Sequence, residues 1–305
     1  TLFPYTTLFR LMILERSHGH VEDASLFDLA NHLRLAAAEI TDAKERVQAA
    51  QIQLRAGLRA KLTTAYQAAA SYLQAGVSVL GASGWEEDYA LAFSLNIELA
   101  ECSYLSAQFE QAERLFENLL PHCRSNLDYA RITSLRSELH ASKGAMVKAL
   151  QCGLEALERF GVRFPATEQE QMAALPEALG EFKQLLGDRS ISDLLNLANC
   201  EDPQQIMIQR LLLFACTPAF FISPTLMPLL VLKLASLSLR HGNSGVTAYA
   251  HATYAFIAAN FFGSYAEGYE FGKLALEMNS KFNNVALTCR INGVFAGFVS
   301  IYQQP

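Results

Sequence analysis

The stretch LAECSYLSAQFEQAERLFENLLP, residues 99–121, constrains the fold more than any other part of this chain. It reads as a helix, a tight polar turn, and a second helix that must pack on the first. Leu99 and Ala100 stand at close-approach positions of the first helix; Phe109, Ala112, Phe116 and Leu119 line the second. Small residues belong where two helices cross closely, because a side chain beyond Cβ would push the axes apart while a large residue opposite fills the space. A unit of this kind cannot bury its apolar face alone. It implies stacked neighbours and a role in holding partners rather than in chemistry.

The same phase recurs along the chain. Ala149 follows Ala112 by 37 residues, with Gly144, Met146, Gly153 and Ala156 at the corresponding offsets. Outer echoes centre on Ala65 and on Gly268, the latter with Tyr265, Gly272 and Ala275 in phase. Gly144 and Gly263 fall where turns are needed and tolerate positive φ. The pattern resembles a tetratricopeptide repeat. It predicts an all-α fold, a tetratricopeptide-like helical-repeat solenoid of antiparallel helix pairs.

Composition agrees with a large buried core, since 51% of the 305 residues are hydrophobic, and strand signals are nearly absent. Helix starts are predicted where Ser25 with Asp28 opens LFDLANHLRLAAAEI and where Asp42 with Glu45 opens AKERVQAAQIQLRAGLRAKL. In the second of these, Val47, Ala50, Leu54 and Leu58 are expected to form the buried face. A net charge of −6 without a basic run argues against nucleic acid as a partner.

Six cysteines lie far apart with no C-x-x-C pair, the usage of a reducing cytoplasm. Cys102 and Cys152 are expected to be buried small hydrophobes. His18 and His20 are the closest approach to a chelating pair, and a solvated loop is the better reading of them. Motifs for phosphate cradling, zinc hydrolysis, nucleophile elbows and kinase catalytic loops are absent, as is D-D-x-x-D of helical prenyltransferase-like enzymes. The acids Glu86, Glu87 and Asp88 after Trp85 read as a helix first turn. No catalytic, cofactor-binding or metal-binding residue is assigned. Tyr104 and Tyr129 could be surface contacts, but their helical spacing favours the core.

The run LLLFACTPAFFISPTLMPLLVL, residues 211–232, is long and uncharged enough to raise the question of a membrane. Pro218, Pro224 and Pro228 are expected to divide it into short pieces, a buried helix, a turn and another buried helix. No membrane partner is therefore expected.

Longer phrases carry a resemblance to a known family. NHL at residues 31–33, ITD at 40–42, AGLRAK at 56–61, YL at 72–73, WEEDY at 85–89, AE at 100–101 and FEQA at 109–112 occur in order. FGVRFP at 160–165, LMPLLVLKLASLSLRHGNS at 226–244 and GYEFGKLAL at 268–276 follow. Over about residues 25–293 the chain resembles the helical region that follows the ATPase module in very large bacterial signalling proteins. In that family a serine/threonine protein kinase and an AAA-type ATPase precede the helices, and GAF and sensor histidine kinase domains often follow.

The resemblance implies a non-catalytic interaction and regulatory segment that couples partner or ligand binding to attached ATPase and kinase domains. Its partners would be those domains and other signalling proteins, with ATP and Mg held in the flanking domains and none here. An alternative is the effector-sensing helical arm of an ATP-dependent transcription regulator, which would end in a basic helix-turn-helix. Residues 1–10, TLFPYTTLFR, resemble a translated sequencing adapter. Residues 11–24 read as a remnant or linker, 25–165 as the first part of the helical-repeat region and 166–305 as its second part. INGVFAGFVSIY, residues 291–302, has no polar-faced capping repeat behind it, so the chain is expected to be an internal fragment.

Overall fold

Among the described residues the backbone makes the same three-residue turn between paired helices at 63–65, 106–108 and 143–145, and a turn one residue longer at 261–264. The structure, a computed structural model, describes residues 23–302. In each turn a residue in the left-handed region stands two positions before the second helix: Thr64 (φ 60°), Ala107 (φ 60°), Gly144 (φ 75°) and Gly263 (φ 66°). The helices that follow are α3 (Tyr66–Leu80), α6 (Phe109–Leu119), α8 (Met146–Glu158) and α13 (Tyr265–Phe282). The fourth residue of each is small and buried: Ala69, Ala112, Ala149 and Gly268. The register of the first echo is thus corrected. Ala65 is the residue just before α3, and Ala69, four residues on, occupies the close-approach position.

Thr64 and Ala107 adopt a conformation that costs a residue with a Cβ roughly 1–2 kcal/mol. Ala107→Gly is therefore expected to raise stability by about 1 kcal/mol, the relief of strain exceeding the entropy that glycine adds to the unfolded chain. Urea unfolding measures it; an unchanged or lowered midpoint would refute the strain.

The chain divides into two units at His122 and Cys123. In the described part of the first, α1 (Asp23–Leu35) is followed by α2 (Ala43–Leu62), which pairs with α3. A short α4 (Gly84–Glu87) then leads to α5 (Tyr89–Leu105), which packs on both α3 and α6. Asp42 caps α2 as its sequence predicts, accepting hydrogen bonds from the backbone N–H groups of Lys44 and Glu45 at 3.0 and 3.1 Å. The start of α1 lies earlier than its sequence predicts, since the chain is already helical at Asp23.

The expected face of α2 holds at Ala50, which is buried, and at Val47 and Leu54, which pack half-buried against the core, but the fully buried stripe is made of smaller residues. It consists of Ala49, Ala50, Gln53, Ala56, Gly57 and Ala60, whereas Leu58 is 38% exposed. The reason is the close crossing with α3: a Cβ on Gly57 would lie 2.6 Å from Leu73 Cγ, so Leu73 fills the volume that a larger α2 residue would need. Leu99 and Ala100 of α5, and Ala112, Phe116 and Leu119 of α6, are all buried as read from their pattern.

In the second unit, α7 (Asn126–Ser142) pairs with α8, and α10 (Pro203–Ile222) packs on both. Next, α11 (Leu226–His241) packs on α10, α12 (Thr247–Asn260) on α11, and α13 on α12. A last helix, α14 (Val285–Val294), ends in one π-helical turn, Phe295–Val299. One helix stands outside this order: α9 (Glu168–Leu186), opened by a capping box of Thr167 and Glu170, packs on α11 while α8 continues directly to α10.

The long apolar run forms two helices, as expected, with the break at Ser223 to Thr225. Pro218 does not divide it. It lies inside α10, where Leu211, Leu212, Leu213, Ala215, Cys216 and Ala219 are buried on both sides of it, and that packing outweighs the roughly 3 kcal/mol cost of an internal proline. Pro228 sits in the first turn of α11, where a missing N–H is tolerated. Half of the most apolar stretch of α10 is buried within the protein, although its length and hydropathy would suffice to cross a membrane. Among the described residues no strand forms; an isolated parallel bridge joins Asn199 to Asn243.

Candidate functional site

The acids after Trp85 are built into the fold of the first unit. Glu86 and Glu87 lie in the first turn of α4, and Asp88 accepts a hydrogen bond from the Leu91 N–H to cap α5. Glu87 pairs with Arg46 at 3.0 Å, and Trp85 stacks on His122 with ring centroids 4.1 Å apart. Beside them lies an open groove of about 420 Å³ lined by Ile40, Arg46, Ser78, Gly81 and Ser83 among others. Its guanidinium already serves Glu87 and the Thr41 carbonyl, so the groove offers little uncompensated charge to a ligand.

A second cluster joins α2 to α5. The Lys61 ammonium lies 2.7 Å from Glu98 and 2.8 Å from Glu101. Burial alone would lower its pKa, but hydrogen bonds and charge from Glu101 and Glu98 prevail and raise it. The lysine stays protonated and acts as a tie, not a base.

Cys102, on the next position of α5, is fully buried, and burial pushes its thiol up to about 12. Cys216 is likewise pushed up to about 12 by burial, whereas Cys289 is exposed. Cys152 is only half-buried, on the rim of α8 rather than within its packing face. A maleimide at neutral pH is expected to modify Cys289 at once and Cys102 and Cys216 only on unfolding. Mass spectrometry of the labelled peptides decides this, and rapid modification of Cys216 would show that α10 opens readily.

The second unit holds its polar groups deeper. Ser244 donates to Gln209 Oε1 at 2.6 Å, and Thr247 Oγ1 accepts from the Ser244 N–H at 2.7 Å, all within the interior. One turn along α12, His251 is fully buried with neither ring nitrogen hydrogen-bonded, and burial holds its pKa down at about 4. Farther along, Tyr254 donates to Glu267 at 2.8 Å, and the same carboxylate pairs with Lys183 of α9. Burial, then the Glu267 contact, raises the phenol pKa. His251 carries no sequence signal beyond its type, because burial follows from α12 being enclosed on every side.

The second unit also presents apolar groups at its surface. Phe220, Phe221 and Ile222 at the end of α10 join Phe261 and Phe298 in an exposed patch whose rings make edge contacts through Phe256. Tyr104 and Tyr129, expected in the core, are half-buried; Tyr129 carries the Arg159 guanidinium 3.5 Å above its ring. His18, His20 and residues 1–10 lie outside the described residues. Among the described residues no three His, Cys, Asp or Glu side chains converge as a metal would require.

These features define an all-α protein built from helix hairpins. The chain is similar to hybrid signal transduction histidine kinase G of Dictyostelium discoideum, with 19% identity over 286 residues covering 85% of the chain. It spans about 8% of that protein's length. No protein-family model matches the chain, and no solved structure matches it.

Proposed function

We propose that the chain is a non-catalytic interaction and regulatory segment of a large multidomain signalling kinase, its hairpins stacked within each unit in the manner of tetratricopeptide-like repeats. The observation that carries this reading is the left-handed residue that recurs at Thr64, Ala107, Gly144 and Gly263, two positions before a helix with a buried small residue at its fourth position. Similarity to part of a histidine kinase, along most of this chain, supports a signalling setting. In that setting the segment sits in the cytoplasm, binds the attached ATPase and kinase domains, and passes to them the effect of a partner lying on its helices. ATP and Mg belong to those flanking domains.

The test begins with the source DNA read across both ends of this reading frame. A frame continuing into ATPase and kinase sequences is the expected result, and those domains, purified, should bind this chain in a titration followed by calorimetry. A downstream basic helix-turn-helix would favour a transcription regulator. Flanking domains that ignore the chain, and run at unchanged rate in its presence, would sink the regulatory reading.

A further inference from the structure

Helix α9 is the part of the second unit that the hairpin series does without. Because α8 packs directly on α10, lifting α9 away leaves the succession from α7 to α13 joined. Only Gln171 and Phe182 of its residues are buried. They lie at the two ends of one stripe, with half-buried Leu175, Ala178, Leu179, Leu185 and Leu186 between and beyond them. The spacing is that of an amphipathic helix laid in a groove. Pro176 and Gly180 inside α9 lower its intrinsic helicity, so the helix owes its form to the surface beneath it.

That surface reads three consecutive side chains. Phe182 enters an aromatic pocket, its ring centroid 4.3 Å from Tyr254 of α12 and 6.0 Å from Phe271 of α13. On one side Glu181 pairs with Arg240 of α11 at 2.7 Å, and on the other Lys183 pairs with Glu267 of α13, which Tyr254 also holds. At the far end Thr225 donates to Gln171 at 2.6 Å. Acid, aromatic and base are each met by a complementary group. The ion pairs are partly exposed, so they select the occupant more than they fix it in place.

We propose that this α11–α13 surface is a docking groove for a partner's amphipathic helix carrying an acid-aromatic-base triplet, and that α9 is its resident occupant in cis. A partner helix displaces α9 by offering the same triplet. The proposal rests on the interaction reading above and names the surface and the chemistry it selects.

The test uses the full chain and a fluorescein-labelled peptide of the α9 sequence, Glu168–Leu186. In the wild-type protein, α9 amides should exchange with deuterium at least about tenfold faster than those of α10, as a separately opening helix would. A chain with Phe182→Ala and Lys183→Glu, which weaken the cis occupant, should bind the peptide about tenfold more tightly than wild type, and adding Glu267→Lys should abolish the gain. Wild-type α9 amides as protected as those of α10 would overturn the proposal whether or not the variant folds. So would a variant with native circular dichroism that binds the peptide no better than wild type. Loss of the groove by either result, with flanking domains still binding the chain, would leave the interaction reading standing.

Discussion

Acidifying the protein from pH 7 to about 4 is expected to remove about 3 kcal/mol of stability through His251 alone. Its imidazole is enclosed in α12 with both nitrogens unpartnered, and burial depresses its pKa from 6.5 to about 4. Between those values the unfolded chain binds a proton that the folded chain refuses. Stability is therefore complete above about pH 6.5, falls as the pH drops through the window, and levels off below about pH 4. His251→Leu should flatten this part of the profile and, by removing two buried polar atoms without partners, add about 1–3 kcal/mol at pH 7. Urea unfolding of both proteins at several pH values isolates the histidine from carboxylates common to both. Identical slopes between pH 4 and 6.5 would show that the imidazole has a partner in solution.

Gly268→Leu should cost about 3 kcal/mol or more, beyond the usual range for a single overpacked methylene. A Cβ at this position of α13 would lie 2.8 Å from the Ala255 carbonyl oxygen, 3.1 Å from Ala259 Cβ and 3.3 Å from the Ala259 nitrogen. Two of these obstacles are backbone, and α12 is buried along its length from Thr247 to Ala259, so it has nowhere to retreat. Even Gly268→Ala should destabilise, against the gain of about 1 kcal/mol that alanine gives in a free helix. Gly180 in α9 supplies the contrast, since nothing lies within 4 Å of the corresponding point. Gly180→Ala should stabilise α9 by about 1 kcal/mol. Thermal melts of the three variants compare them directly, and a Gly268→Ala melt at or above wild type would mean that α12 and α13 can separate without loss.

Legibility in the sequence followed the range of the interactions. Asp42 could be read as a cap and Gly144 and Gly263 as turn residues because their reasons lie within a few residues of each. Ala112, Phe116 and Leu119 could be placed on one face because the helical period is local. On α2 the period places Val47, Ala50 and Leu54 toward the core but fails at Leu58: the crossing at Gly57 selects the small side, which only the position of Leu73 reveals. Pro218 signals a break in any short window, and its tolerance depends on burial contributed by neighbouring helices. The surface that receives α9 was hidden for the same reason, since Arg240, Tyr254, Glu267 and Phe271 come from three separate helices and meet only in the folded unit. His251 has no local signature at all.

The bridge between Asn199 and Asn243 bears on the order in which the second unit assembles. Its hairpins close over turns of a few residues and can form early from neighbouring contacts. The bridge instead ties the chain leaving α9 to the corner between α11 and α12: Asn243 donates to the Ala198 carbonyl at 2.8 Å, and Cys200 donates back to Asn243 at 2.7 Å. Gly242, with φ 94°, makes the fit, because a Cβ there would stand 2.2 Å from the Ala198 oxygen. The Asn243 side chain reaches farther, donating to the Leu194 carbonyl at 2.9 Å. Because α10 and α11 lie between its two halves in sequence, the seal is a long-range contact, and the entropy of closing that loop is offset only where both helices pack beneath it.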